Sequence, residues 1–138
     1  ELLDKIHLMA KDMKATYAGV DYSLDNKKRK DFEPFSLKKP IFGATLIYAK
    51  DGLKYDERFK INEDVEFWIQ KLNLNRRILK DNQYAMVFFG EDGGKDSVIG
   101  YSNDDRRVYA TMLNNKWGKK IMNWKKTGFQ FDNPIKGV

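Results

Sequence analysis

The stretch Asn62-Glu63-Asp64-Val65-Glu66-Phe67-Trp68-Ile69-Gln70-Lys71-Leu72 constrains this chain more than any other. Val65, Trp68, Ile69 and Leu72 recur at three- and four-residue spacing, the period of one helix face. Asn62 is a residue type that caps helix starts, and Asn73-Leu74-Asn75 stops the pattern. A helix with one apolar stripe has to bury it, so the rest of the chain must supply a second layer.

The flanking sequence offers that layer as strands. Residues 41–49, Ile-Phe-Gly-Ala-Thr-Leu-Ile-Tyr-Ala, form a short run of strand formers bounded by Pro40 and the turn signal Asp51-Gly52, which predicts a buried strand. Residues 77–80 and 84–89 predict one or two more, separated by Asp81-Asn82 and ended by Gly90, and residues 121–124 fit a last one. Leu2, Ile6, Met9 and Met13, joined by Leu3, Ala10 and Tyr17, predict an N-terminal helix ending near Gly19. A third helix is expected over residues 104–117, with Val108, Tyr109, Met112 and Leu113 inward and Gly118 as its terminator. Residues 25–31 read as a polar basic loop, Pro34 and Pro40 keep the following stretch extended or irregular, and residues 90–100 form a loop with four glycines. Strands alternating with helices predict an α/β class: a mixed sheet with flanking helices, in one domain spanning residues 1–138.

Composition narrows the function classes. With 41% hydrophobic and 14% aromatic residues the chain can build a core, and no apolar run reaches the length of a membrane span, so a soluble, intracellular protein, cytoplasmic or nuclear, is expected. The absence of cysteine excludes disulfides, thiol nucleophiles and cysteine-ligated metals. A single histidine, His7, cannot build a histidine metal site or a Ser-His-Asp triad, and is read as structural or exposed. The 26 Lys and Arg outnumber the 20 Asp and Glu, and a net charge of +6 raises the local concentration of nucleotides and nucleic acids alike. The chain opens on Glu1-Leu2-Leu3, with no initiator Met and no signal-peptide layout, as expected of a start internal to a longer product.

Glu63 and Asp64 are the candidates for chemistry. Carboxylates in a first helical turn are stabilised by the helix dipole, which is one reading; the other is that one of them faces a cleft and takes a proton from a substrate hydroxyl. Gly93-Gly94-Lys95 is either a plain turn or a phosphate cradle of backbone amides and an ammonium. Arg106 and Arg107 are either a solvated helix start or a fork for a diphosphate. Lys27-Lys28-Arg29-Lys30, and Lys119-Lys120 with Trp124-Lys125-Lys126, are either solvated charge or contacts to nucleic-acid phosphates. Trp68 is expected to pack on the apolar helix face, and Trp117 and Trp124 to serve the core.

The string Tyr55-Asp56-Glu57-Arg58-Phe59 leading into Glu63-Asp64 and an apolar helix resembles the acceptor-side motif of glycosyltransferases of the glycosyltransferase-A fold, over residues 41–90. Reading on through Gly93-Gly94, Arg106 or Arg107, Ala110, Leu113 and Trp117-Gly118, the order of elements is similar to the TET/JBP-associated glycosyltransferase family. That resemblance implies hexose transfer from a UDP-sugar to an acceptor hydroxyl, with a hydroxylated base in DNA as acceptor. Asp64 is then the base, Glu63 stands beside it, and Gly93, Gly94, Lys95, Arg106 and Arg107 lie on the donor diphosphate. It also implies a divalent cation, Mn or Mg. The family's Asp-x-Asp element for that ion is missing at a strand end, since Asp104-Asp105 opens a helix and Asp4 at most follows such an element. The resemblance therefore implies an acceptor-side, C-terminal half, with the donor half upstream or on a partner chain. The competing expectations are a non-catalytic basic domain that binds nucleic acid through Lys27, Lys28, Arg29, Lys30 and Lys125, and a degenerate glycosyltransferase-like scaffold.

Overall fold

The computed structural model describes residues 1–22, 33–86, 102–118, 121–125, 128–132 and 135. Helix α1 spans Leu2–Asp12 and buries Ile6 and Ala10. Lys14 then takes a left-handed conformation (φ 53°), with Ala15 N–H donating to Ala10 O at 2.8 Å and Lys14 N–H to Lys11 O at 3.1 Å. That paired closure is a Schellman stop. It ends the helix well before the expected Gly19, and Tyr17, which shares the helical spacing, instead opens strand β1, Tyr17–Tyr22, whose first four residues are buried. Burial on both faces erased the alternation that marks a half-buried strand.

Strands β2 (Phe35–Ser36), β3 (Thr45–Ile47) and β4 (Leu79–Met86) join β1 in a mixed sheet ordered β2-β4-β1-β3. Only β1 and β4 run parallel. The strand expected over residues 41–49 shrinks to Thr45–Ile47 at the sheet edge, where Thr45 and Ile47 are exposed rather than buried. The chain before it crosses tightly over β1: a Cβ on Gly43 would lie 2.4 Å from Val20 O, and Val20 N–H donates to Ala44 O at 3.0 Å. Asp81-Asn82 does not divide two strands. The register instead jumps from Val20↔Asp81 to Asp21↔Ala85, so Asn82, Gln83 and Tyr84 bulge out of one continuous strand. Residues 87–90 of the expected segment lie outside the described residues.

Successive strand residues face opposite ways, and the two hydrophobic clusters divide accordingly. Ala18, Val20 and Leu79 pack with Ile6 and Ala10 of α1 on one face. Tyr17 and Ile78 pack on the other with helix α2, Glu63–Asn75, through Val65, Phe67, Trp68, Ile69 and Leu72. Helix α3, Asn103–Trp117, adds Ala110 and Leu113 to this second cluster, while Val108, expected inward, is 63% exposed. Gly118 (φ 64°) ends α3 as expected. The last strand is half of a hairpin, β5 (Met122–Lys125) with β6 (Gly128–Phe131), tied to α3 by Asn114, whose Oδ1 accepts from Ile121 N–H at 2.7 Å and Met122 N–H at 3.0 Å. Among the described residues no helix is long and apolar enough to cross a membrane.

Candidate active site at the start of helix α2

The helix that buries the core also sets the position of Asp64. Asn62 occupies the cap position but takes φ 64° and caps nothing with its side chain; its Nδ2 is buried without a hydrogen-bond partner. The expected Asn62 cap is therefore not formed. Asp64 serves the helix start itself, its Oδ1 accepting from Val65 N–H at 2.7 Å. Glu63 is exposed, whereas Asp64 is half-buried. Burial raises the Asp64 carboxyl above the ordinary carboxylate range and the charge of Glu63 pushes the same way, against the backbone hydrogen bond from Val65. Among the described residues no ion pair reaches Asp64. A carboxylate biased toward holding a proton and free of a counter-ion suits general-base chemistry.

One turn further along α2 from Asp64, Phe67 is buried against two tyrosines. Tyr55 stacks on it at 4.3 Å between ring centroids and 21° between planes, and Tyr17 meets its edge at 5.7 Å. Burial raises the Tyr17 hydroxyl pKa, with Tyr55 and Asp64 adding to it; burial, then Asp64 and Glu63, raise that of Tyr55. Both tyrosines therefore lie within the field of the Asp64 charge.

Two ion-pair clusters tie α2 to its neighbours, one buried around Lys71 and one partly exposed around Glu66. Lys71, fully buried, donates to Asp51 Oδ1 at 2.9 Å, to Asp51 Oδ2 at 2.8 Å and to Tyr48 O at 3.1 Å, with Asn75 Nδ2 donating to Asp51 Oδ2 at 2.9 Å. Burial pushes the Asp51 carboxyl up, but the hydrogen bonds from Lys71, Asn75 and Leu53 N–H and the charge of Lys71 prevail and lower it to about 2. In the second cluster Lys116 on α3 donates to buried Glu66 at 2.6 Å and to Asp56 at 2.7 Å, and Arg58 pairs with Asp56 at 2.6 Å. Arg58, then Lys116, hold the Asp56 carboxyl well below its usual range. The Asp-Glu-x-Phe string thus has local work: Asp56 joins the loop to α3, and Phe59 is in the core.

The other sequence candidates lie on other elements or outside the described residues. Arg106 and Arg107 stand near the start of α3, ten and nine residues before Lys116, which meets Glu66 near the start of α2. Consecutive helical positions diverge by about 100°, so the two leave α3 in different directions. Arg107 pairs with Asp104 at 3.5 Å, and Asp105 forms a capping box with Ser102. Lys125 lies on β5. Gly93, Gly94, Lys95, Lys27, Lys28, Arg29, Lys30, Lys119 and Lys120 lie outside the described residues. His7 is exposed and hydrogen-bonds through Nδ1 to the Tyr48 hydroxyl at 2.5 Å. Trp68 is buried and donates to Lys38 O at 3.1 Å. Among the described residues no group of three His, Asp or Glu is arranged to hold a metal ion. On the sequence alone Tyr55 stands only in the motif string and Lys116 only on the third helix, neither as a site residue. The available signal for Tyr55 was Phe67, an aromatic on the helix face of Glu63 and Asp64 at i+4 and i+3.

No protein-family model, curated protein or solved structure matches this chain.

Proposed function

We propose that this chain is the acceptor-side part of a sugar-nucleotide-dependent glycosyltransferase of the glycosyltransferase-A type, moving a hexose to an acceptor hydroxyl, with a hydroxylated DNA base as the favoured acceptor. The observation that carries the reading is Asp64: a half-buried carboxylate of raised pKa, without a counter-ion among the described residues, at the start of a helix tied to α3 by the Glu66–Lys116 pair. In an inverting displacement Asp64 takes the proton of the acceptor hydroxyl as that oxygen bonds to the anomeric carbon. The bond from that carbon to the nucleoside diphosphate breaks, and the diphosphate leaves with the electron pair. The full-length protein is expected to gain thermal stability from UDP-sugars with manganese, as a ligand that binds only the folded state must give. Absence of any shift across UDP-hexoses counts against the reading.

One observation favours a second reading, a basic nucleic-acid-binding domain without turnover. Lys and Arg outnumber Asp and Glu by 26 to 20, and the net charge of +6 draws nucleic-acid phosphates. This reading expects oligonucleotide affinity that falls steeply with salt and no glycosyl transfer.

A further inference from the structure

Phe67 is buried in the core. Tyr55 instead stacks flat on Phe67 with one face and remains 44% exposed. Its neighbours in the chain are pinned on both sides. Lys54 O accepts from Gln70 Nε2 at 3.1 Å, and Asp56 accepts from Lys116 at 2.7 Å. Buried Glu66 organises both anchors, receiving Gln70 Nε2 on Oε2 at 2.5 Å and Lys116 Nζ on Oε1 at 2.6 Å. The chain on both sides of the ring is thus held and the ring itself rests on Phe67, and a preorganised platform loses little entropy on binding. Phe67 is one helical turn from Asp64 on the same side of α2, so the ring stacked on Phe67 adjoins the carboxylate.

We infer that Tyr55 is the acceptor platform: the flat ring of the acceptor stacks on the outer face of Tyr55, which places its hydroxyl at Asp64. The inference rests on the reading of Asp64 as the acceptor's base. Stacking of a base on an aromatic side chain contributes about 1–3 kcal/mol, a factor of about 5–150 in affinity. Because the platform acts on binding rather than on proton transfer, its loss belongs in KM and Kd, whereas loss of Asp64 belongs in kcat.

The test uses the full-length protein, a short single-stranded oligodeoxynucleotide bearing one hydroxymethylpyrimidine, and UDP-glucose as donor. Binding is titrated by fluorescence anisotropy without donor, and transfer is measured separately. Tyr55→Leu is expected to raise Kd and KM by about 5–150-fold with kcat within about threefold of wild type, and Tyr55→Phe, which keeps the stacking ring, to restore both. Thermal melts check that Tyr55→Leu folds; should it fail to, Tyr55→Ser takes its place. Wild-type affinity in Tyr55→Leu, no binding by the wild type, or a loss confined to kcat overturns the inference. Ring-dependent binding without transfer by the wild type supports the platform and defeats the glycosyltransferase reading, so the two fail separately.

Discussion

Asp64 is kept in the fold against its own solvation. Because burial raises its pKa, the folded state binds the proton more tightly than the unfolded chain, and the stability this contributes is present below the unfolded pKa and lost as pH rises through the folded one. Asp64→Asn, which retains an oxygen for Val65 N–H, is therefore expected to melt above wild type at neutral pH, with the difference closing in acid; differential scanning calorimetry across pH checks this. Asp51 has the opposite sign. Its carboxyl is lowered to about 2, so its contribution is complete above about pH 4 and disappears as pH falls through about 2. Lys71→Met strands the Asp51 charge and is expected to destabilise the protein by about 3–5 kcal/mol in urea unfolding at neutral pH. Asp64 was legible as a candidate because carboxylates in a first helical turn carry a known signature. Lys71 and Glu66 were not, because nothing in a lysine or glutamate at one position announces a partner from another element.

Among the elements, the presence and place of α2 were readable from Val65, Trp68, Ile69 and Leu72, but Glu66, Phe67 and Lys71 are buried as well, so its inward side is wider than the stripe its period shows. Helix α1 and β1 were merged in the sequence reading, since Tyr17 continues the spacing of Met13 and Lys14 gives no outward sign of its left-handed turn. The edge strand β3 was misread as buried because an apolar run looks the same at an edge and in a centre. Gly19 shows what local sequence hides: a Cβ there would lie 2.1 Å from Ala44 O, a backbone atom of the crossing chain. Gly19→Ala is expected to cost about 3 kcal/mol by forcing β1 and β3 apart, seen as a lower urea midpoint with an unchanged slope. At the junction of α2, α3 and the Tyr55 loop, Lys116→Met removes the cation from buried Glu66 and from Asp56, and should destabilise by about 3–5 kcal/mol.

Across the whole molecule, a mixed sheet carries α1 on one face and the α2 and α3 core on the other, and the α/β class followed from the alternation of patterns. The sheet order did not, because β1 went unseen and the parallel β1-β4 pair depends on it. The site is a property of this assembly rather than of one motif. Asp64 comes from α2, its aromatic neighbours from β1 and the loop before α2, and the fixing charge from α3. The central claim is that Asp64 is a general base for an acceptor hydroxyl. Its most direct measurement is hexose transfer from UDP-sugars by the full-length protein and its Asp64→Asn variant, followed across pH with folding checked in parallel. The account predicts transfer by the wild type that falls in acid as Asp64 gains its proton, and a loss in kcat of about 10²–10⁴-fold in folded Asp64→Asn. Equal rates in the two proteins, or no transfer by either, would contradict it.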